Sequence, residues 1–150
     1  MNNFSDMILN GEAANNYYGF SVTGGGDING DGYKDFIVGA YGVNSNKGKV
    51  YIYKNAMTGS DIPDVAVYGE NLSELGNSLS DAGDLNGDGF DDYIVGANAY
   101  GDFATGRAYI FFGSLNPDTI PDLILNGFAN NSRFGTSVSG AGDVNADGYD

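Results

Sequence analysis

The chain has 150 residues, 41% of them hydrophobic, with 25 glycines and a net charge of -14 from 20 acidic and 6 basic side chains. With neither cysteine nor histidine it can build no disulfide, thiolate site or imidazole site, so a bound metal must be held by oxygen, which selects a hard cation such as calcium. The acidity disfavours nucleic acid and anionic membranes, and no stretch reaches the about 20 apolar residues of a membrane span.

In chain order, a first strand is expected over Asp6–Gly11. A glycine-rich segment, Tyr18–Tyr33, then leads into a nearly continuous apolar strand, Asp35–Ala40. Further short strands follow over Gly48–Tyr53 and Asp64–Gly69. The order then recurs: Leu75–Phe90, Asp92–Ala97, Gly106–Phe112 and Asp122–Gly127, with a third opening at Phe134–Tyr149. The three openings align without gaps at spacings of 57 and 59 residues. These strands are rich in β-branched and aromatic residues and bounded by turn formers, and no helix is expected.

A repeat of that length with four strands predicts an all-β fold of four-stranded antiparallel propeller blades. The apolar second strand suits a sheet covered on both faces; a β-sandwich with cation loops is the structural alternative. The expected organisation is an outer strand of a preceding blade at 1–11, blades at 18–69 and 76–126, and the start of another at 134–150. A propeller ring needs four or more blades, so this count implies either a longer chain or closure by self-association.

Each repeat places Asp-x-Asn-x-Asp-Gly-aromatic between its first and second strands. The candidate ligands are Asp27, Asn29, Asp31, Tyr33 and Asp35 in the first loop, and Asp84, Asn86, Asp88, Phe90 and Asp92 in the second. The third offers Asp143, Asn145, Asp147 and Tyr149 and stops one residue short of a ninth-position acid. Side-chain oxygens at positions one, three, five and nine, with the aromatic's carbonyl at seven, can converge on Ca2+ when the backbone curls. Glycine at position six admits the sharp turn. An EF-hand would need a Glu at position twelve and a following helix; Val38 and Val95 stand there, and strands follow. Carboxylates this close repel by about 1 kcal/mol per pair near 4 Å in water, and a divalent cation reverses the sign. Eight of the 20 acids occupy ligand positions in these loops, more than an ordinary solvated turn requires.

The pattern resembles the FG-GAP repeat family, known from the propellers of integrin α subunits and from bacterial surface proteins. Phe134-Gly135 matches the Phe-Gly element, with variants Tyr18-Gly19 and Leu75-Gly76; Gly39-Ala40 and Gly96-Ala97 match Gly-Ala, without the proline. The resemblance implies a propeller of about seven blades with calcium loops on one rim. It also implies an extracellular, cell-surface or periplasmic setting.

The expected function is non-catalytic: adhesion, or binding of a protein or carbohydrate ligand through loops on the face away from the calcium rim. The alternative is an accessory propeller in a secreted polysaccharide- or lipid-degrading enzyme. The acid pairs Asp91-Asp92 and Glu70 with Glu74 could support acid–base chemistry, but ligand and solvated-charge roles explain them more simply. The aromatics fall mostly in strands, where packing between blades is their expected role.

Overall fold

The computed structural model describes residues 7–55, 60–148 and 150. Four antiparallel strands form the first sheet: β1 (Ser21–Gly26), β2 (Asp35–Ala40), β3 (Lys49–Tyr53) and β4 (Val65–Tyr68). A second sheet repeats the pattern with β5 (Ser78–Gly83), β6 (Asp92–Ala97), β7 (Arg107–Phe111) and β8 (Leu123–Asn126). Each sheet is a simple meander, the antiparallel blade architecture expected from the repeat. Register is equivalent in the two, with Val22 opposite Val38 and Leu79 opposite Val95. Both first hairpins carry a bulge just before the acidic loop, between Gly24 and Gly26 and between Asp81 and Gly83.

The apolar second strands are buried on both faces, which is why they do not alternate. In β2, Ile37 packs with Val50, Ile52, Val67 and Leu75 against Tyr93, Val95, Tyr109 and Phe111 of the second sheet. Val38 faces the other way, into Ala40, Val43, Tyr51 and Tyr53, covered by Leu9 and Tyr18. Each fully buried aliphatic side chain in this interior contributes about 2 kcal/mol.

Three features differ from expectation. The connection 41–48 contains one turn, α1 (Val43–Asn46), but Asn44 and Ser45 have φ of 52 and 59, so it winds left-handed there and is no right-handed helix. Residues 7–10 of the expected first strand form no ladder among the described residues, and Asp6 lies outside them. Nor do residues 137–142 form a strand among the described residues.

Connection lengths separate the two rims. At the acidic rim, β1–β2 and β5–β6 are joined by residues 27–34 and 84–91, and β3–β4 and β7–β8 by residues 54–64 and 112–122. These pairs match in length. At the opposite rim, residues 41–48 correspond to the longer 98–106.

The blades join through a seam that recurs at each junction. Ser21 Oγ donates to the Gly76 carbonyl at 2.6 Å, and Ser78 Oγ to the Gly135 carbonyl at 2.8 Å. Gly48 bridges Leu75 in parallel, as Gly106 bridges Phe134. The glycines of the Gly-Ala element make this approach possible. A Cβ on Gly39 would collide with the Gly76 carbonyl and Ser21 Oγ, and one on Gly96 with the Gly135 carbonyl and Ser78 Oγ. Gly39→Ala is therefore expected to cost about 1–3 kcal/mol, lowering the melting temperature by about 5 °C. Gly24→Ala, where a Cβ meets nothing within 4 Å, should leave it unchanged or raised; equal losses in both variants would refute the seam's role.

Candidate metal centre

All three acidic loops fold alike, because each first-position aspartate gathers the backbone that follows it. Asp27 accepts from the Asp31 amide at 3.0 Å and the Gly32 amide at 2.8 Å. Asp84 accepts from the amides of Gly87, Asp88 and Gly89 at 2.8, 3.1 and 2.8 Å. Asp143 accepts from Asp147 and Gly148 at 3.1 and 2.7 Å. These amides hold the Asp143 carboxyl below its ordinary range, the hydrogen bond from Gly148 being the largest cause. Gly32, Gly89 and Gly148, at position six, have φ of 84, 91 and 95, as the sharp turn requires.

Positions three and five come together in every loop. Asn29 Nδ2 lies 3.1 Å from Asp31 Oδ2, Asn86 Nδ2 2.9 Å from Asp88 Oδ2, and Asn145 Nδ2 2.8 Å from Asp147 Oδ2. A side-chain amide thus donates to the carboxylate in each loop. The second oxygens of Asp31 and Asp88 take the amides of Tyr33 and Phe90 at 2.9 and 3.0 Å.

The ninth-position acids sit differently. Asp35 and Asp92 are 2% and 0% exposed, beneath their loops at the start of the second strands. Asp35 accepts from Ile28 at 3.0 Å and Asn55 at 2.7 Å. Asp92 accepts from Leu85 at 2.9 Å and Gly113 at 2.8 Å. Burial pushes both carboxyls up, Asp92 to about 6, with repulsion from the loop's own acids adding to the effect. Among the described residues no three acidic side chains draw together as a ready-made cation cage. Positions one, three and five share one curl, while position nine anchors that curl to the sheet. Tyr149 lies outside the described residues.

The donor set nevertheless fits a hard cation: all oxygen, anionic, and carried on a backbone already curled. The residues that would hold it are Asp27, Asn29, Asp31 and Asp35 in the first loop and Asp84, Asn86, Asp88 and Asp92 in the second.

Sequence reasoning missed a second charged pattern. Lys49 and Arg107, which begin β3 and β7, take equivalent acids from the preceding linkers. Lys49 Nζ meets Glu12 at 2.5 Å, and Arg107 meets Glu70 at 3.2 Å. Glu70 also accepts from Tyr109 at 3.2 Å, so it is an ion-pair partner rather than a freely solvated charge. The spacing Gly-Glu at 11–12 and 69–70 was the available signal.

Aromatic placement also differs in part. Tyr93 and Phe111 stack between the blades as expected, but Phe20 is 60% exposed and meets Tyr41 edge-on, while Tyr17 stacks on the same ring. Phe20, Tyr41, Glu74, Asn77, Asn98 and Thr136 line an open cleft of about 320 Å³. It lies at the rim opposite the acidic loops.

Two meandering blades with a recurrent loop between their first strands define a segment of a repeat propeller. Residues 27–95 match the family described as FG-GAP-like repeat, and the chain is an FG-GAP repeat chain carrying blades of a propeller-type domain. It is 38% identical to integrin alpha-7 of Rattus norvegicus over 151 residues, covering 96% of this chain and 13% of that protein. It is also 34% identical to integrin alpha-5 of Xenopus laevis, over 89% of this chain and 13% of the relative, and 34% identical to integrin alpha-3 of Cricetulus griseus, over 95% and 14%. The chain thus spans about an eighth of the length of these curated relatives.

The anchoring role of Asp92 is testable without metal. In chelator, Asp92→Ala strands the buried Gly113 amide and the part-buried Leu85 amide and should cost about 2–4 kcal/mol, read by denaturant unfolding. Asp92→Asn, which keeps one acceptor oxygen, should lose less. An Asp92→Ala variant as stable as the parent would contradict this assignment.

Proposed function

We propose that this chain is a calcium-stabilised, non-catalytic propeller segment of a cell-surface adhesion protein. The observation that carries the reading is the threefold recurrence of one loop geometry, with oxygen ligands at the same positions and the same backbone curl. A chain of net charge -14 with no histidine or cysteine favours a hard cation over other metals. The likeness to integrin α chains favours adhesion, and an extracellular setting over a periplasmic one. It likewise favours this reading over an accessory domain of a degradative enzyme. The acids considered for catalysis have structural partners: Asp92 holds two amides and Glu70 holds Arg107.

A protein or carbohydrate partner would meet the rim opposite the cation loops. Support comes from the exposed aromatic group of Tyr17, Phe20 and Tyr41 beside Glu74, an amphipathic surface suited to either ligand. Further blades or a second copy would cover the outer sheet. Leu125 on β8 is 44% exposed where its counterpart Val67 is 4% exposed under the second blade.

Calcium at millimolar concentration should raise the melting temperature, and magnesium should do so much less, because it sheds water reluctantly and demands stricter geometry. Asp31→Ala combined with Asp88→Ala should remove most of the calcium increment. A calcium response that survives both substitutions would sink the ligand assignment.

A further inference from the structure

The two complete loops are not independent. The acid at position eight of one repeat reaches back to the loop of the repeat before it. Asp91 Oδ2 accepts the amide of Asp27, the first residue of loop one, at 2.6 Å. The Asp91 amide returns a bond to the Asp27 carbonyl at 3.2 Å. Asp150, at position eight of the third repeat, makes the same reach to the Asp84 amide at 3.2 Å. The bulge glycines leave room for these carboxylates: a Cβ on Gly26 would run into Asp91, and one on Gly83 into Asp150.

Two more contacts tighten the grip on loop one. The Phe90 ring lies where a side chain on Gly30 would stand. The Ser114 amide donates to the Ile28 carbonyl at 2.9 Å. Loop one is therefore held at Asp27, Ile28 and Gly30 by residues of the second repeat. Lys34, which occupies position eight of the first repeat where the others have Asp, also meets Asp91, at 3.3 Å.

Asp91 stands between Phe90 and Asp92, at positions seven and nine of loop two. A cation that fixed Phe90 and Asp92 in loop two would fix the residue between them, and with it the Asp27 amide. We propose that Asp91 is a positioning residue that couples the loops, so that occupancy of loop two raises the calcium affinity of loop one. Coupling of this kind is reciprocal, so loop one strengthens loop two by the same factor. This inference rests on the calcium reading of the loops.

The test reads loop one alone. The chain has no tryptophan, so Tyr33→Trp, at a half-exposed position, places a single indole beside that loop, and excitation at the long-wavelength edge of its band, where tyrosine absorbs little, sensitises terbium there selectively. Calcium competition against terbium then gives loop-one affinity in this host and in hosts also carrying Asp88→Ala, Asp91→Ala or both. Each added substitution should lower loop-one affinity about fivefold, and the pair should be no weaker than either alone. Asp91→Asn, which keeps an acceptor oxygen, should lose less than Asp91→Ala and serves in its place if the alanine variant does not fold. Unchanged affinity in the Asp91 variants, or fully additive losses in the pair, would overturn the coupling while leaving calcium binding intact. Absence of calcium-displaceable emission in every host would instead overturn the calcium reading.

Discussion

The carbonyl oxygen of Gly76 sits against the bare α-carbon of Gly39, and the hydroxyl of Ser21 closes the gap. Everything else about the blades follows from that proximity. It holds the two sheets where Ile37 and Val50 meet Tyr93 and Val95. Side-chain packing alone would tolerate sliding, because branched aliphatics and aromatics accept small shifts. A hydrogen bond to a backbone carbonyl through a gap only glycine allows does not. The same arrangement of Ser78, Gly96 and Gly135 at the next junction shows that the repeat encodes the joint as well as the blade.

Much of this was legible in the sequence because it is local. The strands Asp35–Ala40 and Asp92–Ala97 could be bounded to the residue, since an apolar run flanked by Asp and a turn leaves little freedom. The curl of the loops was legible because Asp and Asn at alternate positions, with a glycine at the sixth, leave a periodic trace. What escaped involves partners far apart in the chain. Asp91 read as a surplus acid beside a ligand, because its partner is an amide 64 residues away. Glu70 read as a solvated charge for the same reason, its partner Arg107 lying 37 residues on. The left-handed turn at Asn44 and Ser45 was legible only in part: asparagine visits the left-handed region readily, but Ser45 is held there by its surroundings.

The ninth-position acids show how one residue can serve two states. Asp35 and Asp92 are buried, hold two amides each and carry carboxyls pushed upward by desolvation. A carboxylate kept in that condition is costly beside other acids, and a nearby divalent charge is the remedy that the composition allows. The loops are thus held in their curl by their own backbone amides. Under the proposed calcium reading, loop stability and ion occupancy would be linked quantities.

The unequal metrics of the two rims bear on how such a chain diversifies. Corresponding connections on the acidic side match in length, whereas residues 98–106 outnumber residues 41–48 on the other. An insertion among the carboxylates would break the loop's hydrogen-bonded curl and its grip on the neighbour, but one across the sheet merely reshapes the ground around Tyr41 and Asn98. Novelty can accumulate on one side while the other keeps its gauge.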